Sequence, residues 1–236
     1  MIRFQHTEIG YHRPLLAIED LHLQKGKVYA LLGLNGSGKS TLLKTLAAQI
    51  PVLSGNLLIN DFIVEELAQN ANLRAQQIAF VSSRFEGVEH LSVADYVGLG
   101  RIPYASIFGK LTADDRQLVH DTLEKLGLSY LSEKRTLELS DGERQMVSLA
   151  RAFVQDTPVL LLDEPASFLD FLNREQLLRT LIPWAMHTNR CVVLSSHDLD
   201  LCIEHDLPLL LLAQQKLNVV QGLSKRDVQQ LLIEKA

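Results

Sequence analysis

The chain has 236 residues, 47% of them hydrophobic and 22% charged, with a net charge of −5. That length and balance suit one large domain or two small ones with a substantial core, and they exclude a disordered tail, a collagen-like repeat and a coiled-coil rod. No Lys or Arg run exceeds the pairs Lys134-Arg135 and Lys225-Arg226, so the basic stripe of a nucleic-acid binder is missing and no nucleic-acid partner is expected.

Apolar stretches such as Val159–Leu162 and Leu209–Ala213 fall far short of the ~20 residues that a membrane span needs. Met1 is followed by Ile-Arg-Phe-Gln-His, without an apolar signal segment, and the expectation is a cytoplasmic chain. Cys191 and Cys202 have no metal-ligand spacing and read as small buried residues.

In chain order, residues 2–4, 15–18 and 21–23 read as short strands, 24–27 as a turn, and 28–32 as a continuous apolar strand. The glycine-rich residues 33–38 open into a predicted helix over 40–49. Ser54-Gly55-Asn56 reads as a turn into a strand at 57–59. Helical material over 64–74 precedes a buried-strand candidate at Ile78–Val81. Residues 84–140 show helical periodicity at 93–99 and 114–126, with breaks at Gly100, Pro103, Gly109 and Gly127, and are expected to form a helical insertion. The pattern then alternates: helix from Asp141 to about 155, strand Val159–Leu162, helix 174–186, strand 191–194, helix 198–205. Such alternation implies an α/β fold with a mostly parallel sheet covered on both faces.

Gly33-Leu34-Asn35-Gly36-Ser37-Gly38-Lys39-Ser40 meets every fixed position of the phosphate-loop pattern. Glycines let the backbone curl so that successive N–H groups point at phosphate oxygens. The helix that follows adds the positive end of its dipole. Lys39 is suited to bridge β- and γ-phosphates and the Ser40 hydroxyl to ligate Mg²⁺, with Thr41 completing the loop. Val159–Leu162 ends in Asp163-Glu164, where α/β sheets bind ligands. Asp163 is expected to reach Mg²⁺ and Glu164 to polarise the attacking water. Taken alone, such acids would read as an ordinary strand end. His197, after the strand at 191–194, is a candidate to hydrogen-bond the γ-phosphate.

Leu139-Ser140-Asp141-Gly142-Glu143-Arg144-Gln145 resembles the L-S-G-G-Q signature of ABC ATPases, and the resemblance extends over essentially the whole chain. It implies one nucleotide-binding domain over 1–236: a phosphate-loop NTPase core from 1–83 and 141–236, with an N-terminal antiparallel β region, and a helical subdomain at 84–140. Tyr11 matches the family's adenine-stacking aromatic, Ser167-Phe168-Leu169-Asp170 its D-loop, and His197 its switch histidine. By the same resemblance, Ser140 and Gly142 contact nucleotide held by the opposite subunit of a head-to-tail homodimer. The family's partners are integral membrane permease subunits and, indirectly, an extracytoplasmic substrate-binding protein, with the ATPase peripheral on the inner membrane face. Gly100-Arg101-Ile102-Pro103-Tyr104 and Phe108-Gly109-Lys110-Leu111-Thr112 resemble a stretch in importer ATPases for iron–siderophore, haem and cobalamin.

One departure stands out. Where the family carries a glutamine after the strand at Ile78–Val81, this chain has Ser83. Serine is too short to span the same distance, so Ser83 is expected to act through a bridging water and to weaken the link between site closure and hydrolysis. The expected function is an importer ATPase; a slow nucleotide-gated dimeric clamp or a non-transport ABC protein is the alternative.

Overall fold

The computed structural model describes residues 1–105 and 109–233. Strands β1 (Ile2–Gly10), β2 (Pro14–Ile18), β3 (Leu21–Leu23) and β4 (Lys27–Gly33) lead to helix α1 (Lys39–Leu46). Strands β5 (Val52–Ile59) and β6 (Phe62–Ile63), helices α2 (Val64–Gln69) and α3 (Ala71–Gln77), and β7 (Ile78–Val81) follow. Helices α4 (Val93–Gly98), α5 (Ala113–Lys125) and α6 (Asp141–Gln155) come next, with short 3₁₀ turns between them. The chain then runs through β8 (Val159–Leu162), α7 (Phe171–Thr188), β9 (Cys191–Ser195), α8 (Leu199–Glu204), β10 (Leu209–Ala213), β11 (Lys216–Val220) and α9 (Lys225–Ile233).

These strands form one sheet in the order β6-β5-β1-β2-β11-β10-β4-β9-β8-β7, with β3 paired to β1. The half from β10 to β7 is parallel throughout. The N-terminal half, where β1 pairs with β2, β3 and β5, is antiparallel. The α/β expectation with both regions is borne out.

Side-chain alternation explains why the central strands read as unbroken apolar runs. Tyr29 and Leu31 of β4, Val159 and Leu161 of β8 and Val193 of β9 pack with Leu42, Leu43 and Leu46 of α1 on one face. Val28, Ala30, Leu32, Leu160, Leu162, Val192 and Leu194 pack with α6 and α7 on the other. A parallel sheet buried on both faces needs apolar residues at both parities. The insertion has its own core, built from Val93, Tyr96 and Val97 of α4, Val119 and Leu123 of α5, and Val147, Ala150 and Val154 of α6.

Two local expectations are corrected. Ser54-Gly55-Asn56 is no turn; it lies inside β5, where the register against β1 shifts between Gln5 and Glu8. Gly55, at φ +75°, sits so close to the His6 carbonyl that a Cβ would come within 2.0 Å of its oxygen, the close approach that marks a bulge. The helical stretch at 64–74 is two helices, because Asn70 turns extended and its side chain accepts from the Leu73 N–H, a capping bond that starts a new helix. Beyond the residues assigned from sequence, β10 and β11 form an antiparallel pair and α9 follows.

The Gly-Arg-Ile-Pro-Tyr segment, a 3₁₀ turn over Leu99–Tyr104, anchors the insertion to α6. Arg101 Nε donates to Asp115 Oδ1 at 2.8 Å, and its Nη1 to the Val154 carbonyl at 3.0 Å. The guanidinium lies 4.2 Å from the centre of the Tyr104 ring. Phe108 lies outside the described residues. The Arg101 hydrogen bond, seconded by the Thr112 hydroxyl and N–H, holds the Asp115 carboxyl down at about 2.

Arg101→Met should lower stability by about 2 kcal/mol at neutral pH in urea unfolding, since the pair is nearly buried and one charge is left behind. Asp115 is depressed from an unfolded value of about 3.9, so the pair's contribution is present above about pH 4 and lost as pH falls toward about 2. The gap between wild type and variant should close over that window.

Candidate active site

The site begins where β4 runs out. Its apolar core pins residues 28–32 in the sheet, and the chain between Gly33 and Lys39 must arc over the strand end before α1 starts. Gly38, the residue before α1, has φ +103° and sits against Leu15, a backbone that an L side chain rarely adopts. No side chain caps α1 and no acid occupies its first turn, so its first N–H groups face outward unpaired.

Lys39, only 7% exposed, donates from Nζ to the Gly33 carbonyl at 2.8 Å and the Leu34 carbonyl at 3.3 Å. Burial lowers its pKa, while the charges of Glu164 and Asp163 oppose that shift. Ser37 Oγ is buried with no hydrogen-bond partner among the described residues. It lies so near Gly33 that a Cβ there would come within 2.5 Å. A buried orphan hydroxyl, an uncapped helix start and a lysine on loop carbonyls together fit a bound polyphosphate. Asn35, Gly36 and Ser40 are exposed along the loop, and Thr41 is half-buried.

The carboxylates follow β8. The Asp163 N–H donates to the Val81 carbonyl at 2.9 Å, which continues the β7 pairing past the strand end. Asp163 Oδ1 accepts from Ser195 Oγ at 2.8 Å, and the Glu164 N–H donates to the same Ser195 oxygen at 2.7 Å. Glu164 is left-handed, at φ +47°. Its Oε1 accepts from His197 Nε2 at 2.8 Å, so the imidazole carries its proton on Nε2. The Ser40 hydroxyl and the Asp163 carboxylate are oxygen donors of the kind that suits Mg²⁺. Glu164, Ser195 and His197 border a cleft of about 400 Å³ that extends to Arg174 and Lys225.

The structure thus brings Lys39, Asp163, Glu164 and His197 to the carboxyl-terminal ends of the parallel strands β4, β8 and β9. Ser195 belongs with them and escapes the sequence reading. Ser140, Gly142 and Asp170 do not join this group. They line a separate cleft of about 600 Å³ with Tyr130, Glu143 and Phe168. Ser140 caps α6: its Oγ donates to Glu143 Oε2 at 2.8 Å and accepts from the Glu143 N–H. The Ser140 N–H donates to the same carboxylate oxygen at 2.8 Å, and these bonds lower the Glu143 pKa. Such a Ser-x-x-Glu capping box is a signal readable in the sequence. Asp170 caps α7 by accepting from the Asn173 N–H at 2.8 Å. Tyr11, 61% exposed, tops the turn between β1 and β2, the strand whose Leu15 touches Gly38. Ser83 is half-buried in the bend after β7.

Residues 17–167 match the family model described as ABC transporter. The chain is 34% identical over 194 residues to the iron(3+)-hydroxamate import ATP-binding protein FhuC of Bacillus subtilis, covering 81% of this chain and 71% of that protein. It is 35% identical over 201 residues to the phosphonates import ATP-binding protein PhnC of Trichormus variabilis, covering 82% and 80%. Among solved structures, an inward-facing ABC transporter described as of metal-chelate type superposes with a TM-score of 0.83 at 28% identity, covering 99% of this chain and 88% of that one.

Lys39→Ala should weaken ATP binding roughly 10- to 100-fold in a fluorescent-nucleotide titration, the range for losing charge-assisted hydrogen bonds to phosphate.

Proposed function

Because the chain belongs to the ABC transporter family and is one of its ATPases, we propose that it is the energy-supplying subunit of an importer. It would hydrolyse MgATP as a head-to-tail homodimer, docked on the cytoplasmic side of integral membrane permease subunits that receive cargo from an extracytoplasmic substrate-binding protein. Among the described residues no helix is long and apolar enough to cross a membrane, which accords with a peripheral position. The chain would be one nucleotide-binding domain, with residues 1–83 and 141–236 as the ATPase core and 84–140 as the helical subdomain.

In this reading adenine stacks on Tyr11, and the phosphates sit in the loop formed by Gly33, Asn35, Gly36, Ser37, Gly38 and Thr41. Ser40 and Asp163 would hold Mg²⁺, which would supply neutralising charge to the phosphates. Lys39 exchanges its two loop carbonyls for phosphate oxygens. Glu164 takes a proton from water. The water oxygen bonds to the γ-phosphorus as the bond to the β–γ bridging oxygen breaks, leaving ADP and phosphate. His197 would turn its Nε2 proton from Glu164, where it sits at 2.8 Å without nucleotide, to the γ-phosphate, which frees the Glu164 carboxylate to accept from water. Ser83 would act through a bridging water.

The observation that carries the dimer is the separation of the two clefts. The hydrolytic residues gather at the ends of the parallel strands, whereas Ser140, Gly142 and Asp170 border another cavity. A second copy presented head to tail would bring its Ser140 and Gly142 over the first copy's loop. Phe168, Phe171 and Leu172, which are 45%, 74% and 75% exposed, offer such a copy an apolar surface around Asp170. For cargo we propose an iron chelate, haem or cobalamin. The support is the Gly100–Tyr104 sequence and the likeness to the hydroxamate import protein; the phosphonate relative, at 35% identity, marks the competing cargo.

Glu164→Gln should form a dimer in light scattering only when ATP is present, while wild type hydrolyses ATP. A dimer with no wild-type turnover would instead favour the slow clamp, and a monomer with ATP bound would count against head-to-tail closure by the chain alone. Ser83→Gln should raise permease-coupled turnover and leave ATP affinity unchanged; equal basal and coupled turnover in both forms would sink the bridging-water role.

A further inference from the structure

β9 is apolar from Cys191 to Leu194 and then ends on a serine that is 0% exposed. Burying a hydroxyl in such surroundings costs free energy unless its hydrogen bonds are made. Ser195 makes two, and both go to the paired acids. Its one proton is committed to Asp163 Oδ1 at 2.8 Å, and a lone pair accepts from the Glu164 N–H at 2.7 Å. The next residue behaves differently: Ser196 is half-buried and its Oγ accepts from the Asp198 N–H in its own turn.

Two consequences follow from that single oxygen. Glu164 is held at φ +47°, a region that costs a residue with a Cβ about 1 kcal/mol or more. Its amide has turned away from the strand ladder and needs an acceptor inside the protein. Ser195 is that acceptor, and from this backbone the Glu164 side chain reaches His197 at 2.8 Å. Asp163, meanwhile, has Oδ1 taken by the hydroxyl, which restrains the carboxylate's rotation and leaves its other oxygen outside that hydrogen bond.

We infer that Ser195 is a positioning residue for ATP hydrolysis: one hydroxyl sets both the orientation of the Asp163 carboxylate and the backbone turn that aims Glu164. The inference rests on the reading of Asp163 as a Mg²⁺ holder and Glu164 as the base. Groups that hydrogen-bond a ligating carboxylate from behind are worth roughly 10- to 100-fold in metal affinity or activity.

The test compares wild type, Ser195→Ala and Ser195→Thr, with Asp163→Asn and Glu164→Gln as references. In the nucleotide-free chain, Ser195→Ala should speed hydrogen exchange at the Glu164 amide about tenfold. With a non-hydrolysable ATP analogue, electron paramagnetic resonance should show Mn²⁺ binding weakened about tenfold, and steady-state turnover should show kcat down roughly 10- to 100-fold with KM for ATP little changed. Ser195→Thr, which keeps the hydroxyl, should recover most of each loss. If Ser195→Ala lowers only the melting temperature and leaves exchange, Mn²⁺ affinity and kcat within twofold, while the Asp163 and Glu164 variants are impaired, this inference alone is overturned. If those two reference variants also bind Mn²⁺ and turn over like wild type, the site reading falls and takes the inference with it.

Discussion

Ala30, Leu194 and Leu162 lie abreast on β4, β9 and β8, locked by parallel pairing in the middle of the sheet. Parallel strands end on the same side, so whatever follows that row is delivered to that side. Gly33 and the loop follow on β4, Asp163 and Glu164 on β8, and Ser195 and His197 on β9. Close packing of particular side chains against the helices on both faces holds this register, and a slip of one residue would turn every side chain to the opposite face. Ser195 would then point away from the acids, and both of its hydrogen bonds would be lost. The positions of the chemical groups are set by hydrophobic burial several residues upstream.

Helix α6 joins this side to the rest of the molecule. Leu149 and Ala152 pack into the sheet core, while Val147, Ala150 and Val154 pack into the core of the helical insertion. Each fully buried aliphatic side chain is worth about 1.5–3 kcal/mol, so one helix is a member of two cores. Its N-terminus carries Ser140, and its last turn receives Arg101 through the Val154 carbonyl. The insertion is thereby fastened to the helix that carries Ser140, with the Arg101–Asp115 pair beside that fastening.

The loop stood out in the sequence because its residue types recur at fixed spacing, and Asp163, Glu164 and His197 became candidates only beside it and through the family resemblance. The central strands were legible because burial on both faces leaves long apolar runs. Ser195 was hidden: a serine at a strand end has no distinguishing pattern, and its partners are 31 and 32 residues away in the chain. The bulge at Gly55 was read as a turn because glycine between polar residues serves both, and only the opposite strand decides. Asn70 divides α2 from α3 through its own side chain, a local capping bond that competes with helix continuation. The Gly100–Tyr104 segment pointed by resemblance to a subgroup of importers, whereas its visible work is mechanical, with Arg101 tying the insertion to α6.

Lys39 occupies an already assembled loop, its ammonium resting on the Gly33 and Leu34 carbonyls. The loop's arc is thus tied together by an internal cation. An arriving nucleotide displaces acceptors and does not have to order a wandering segment, so little conformational entropy is lost at that step.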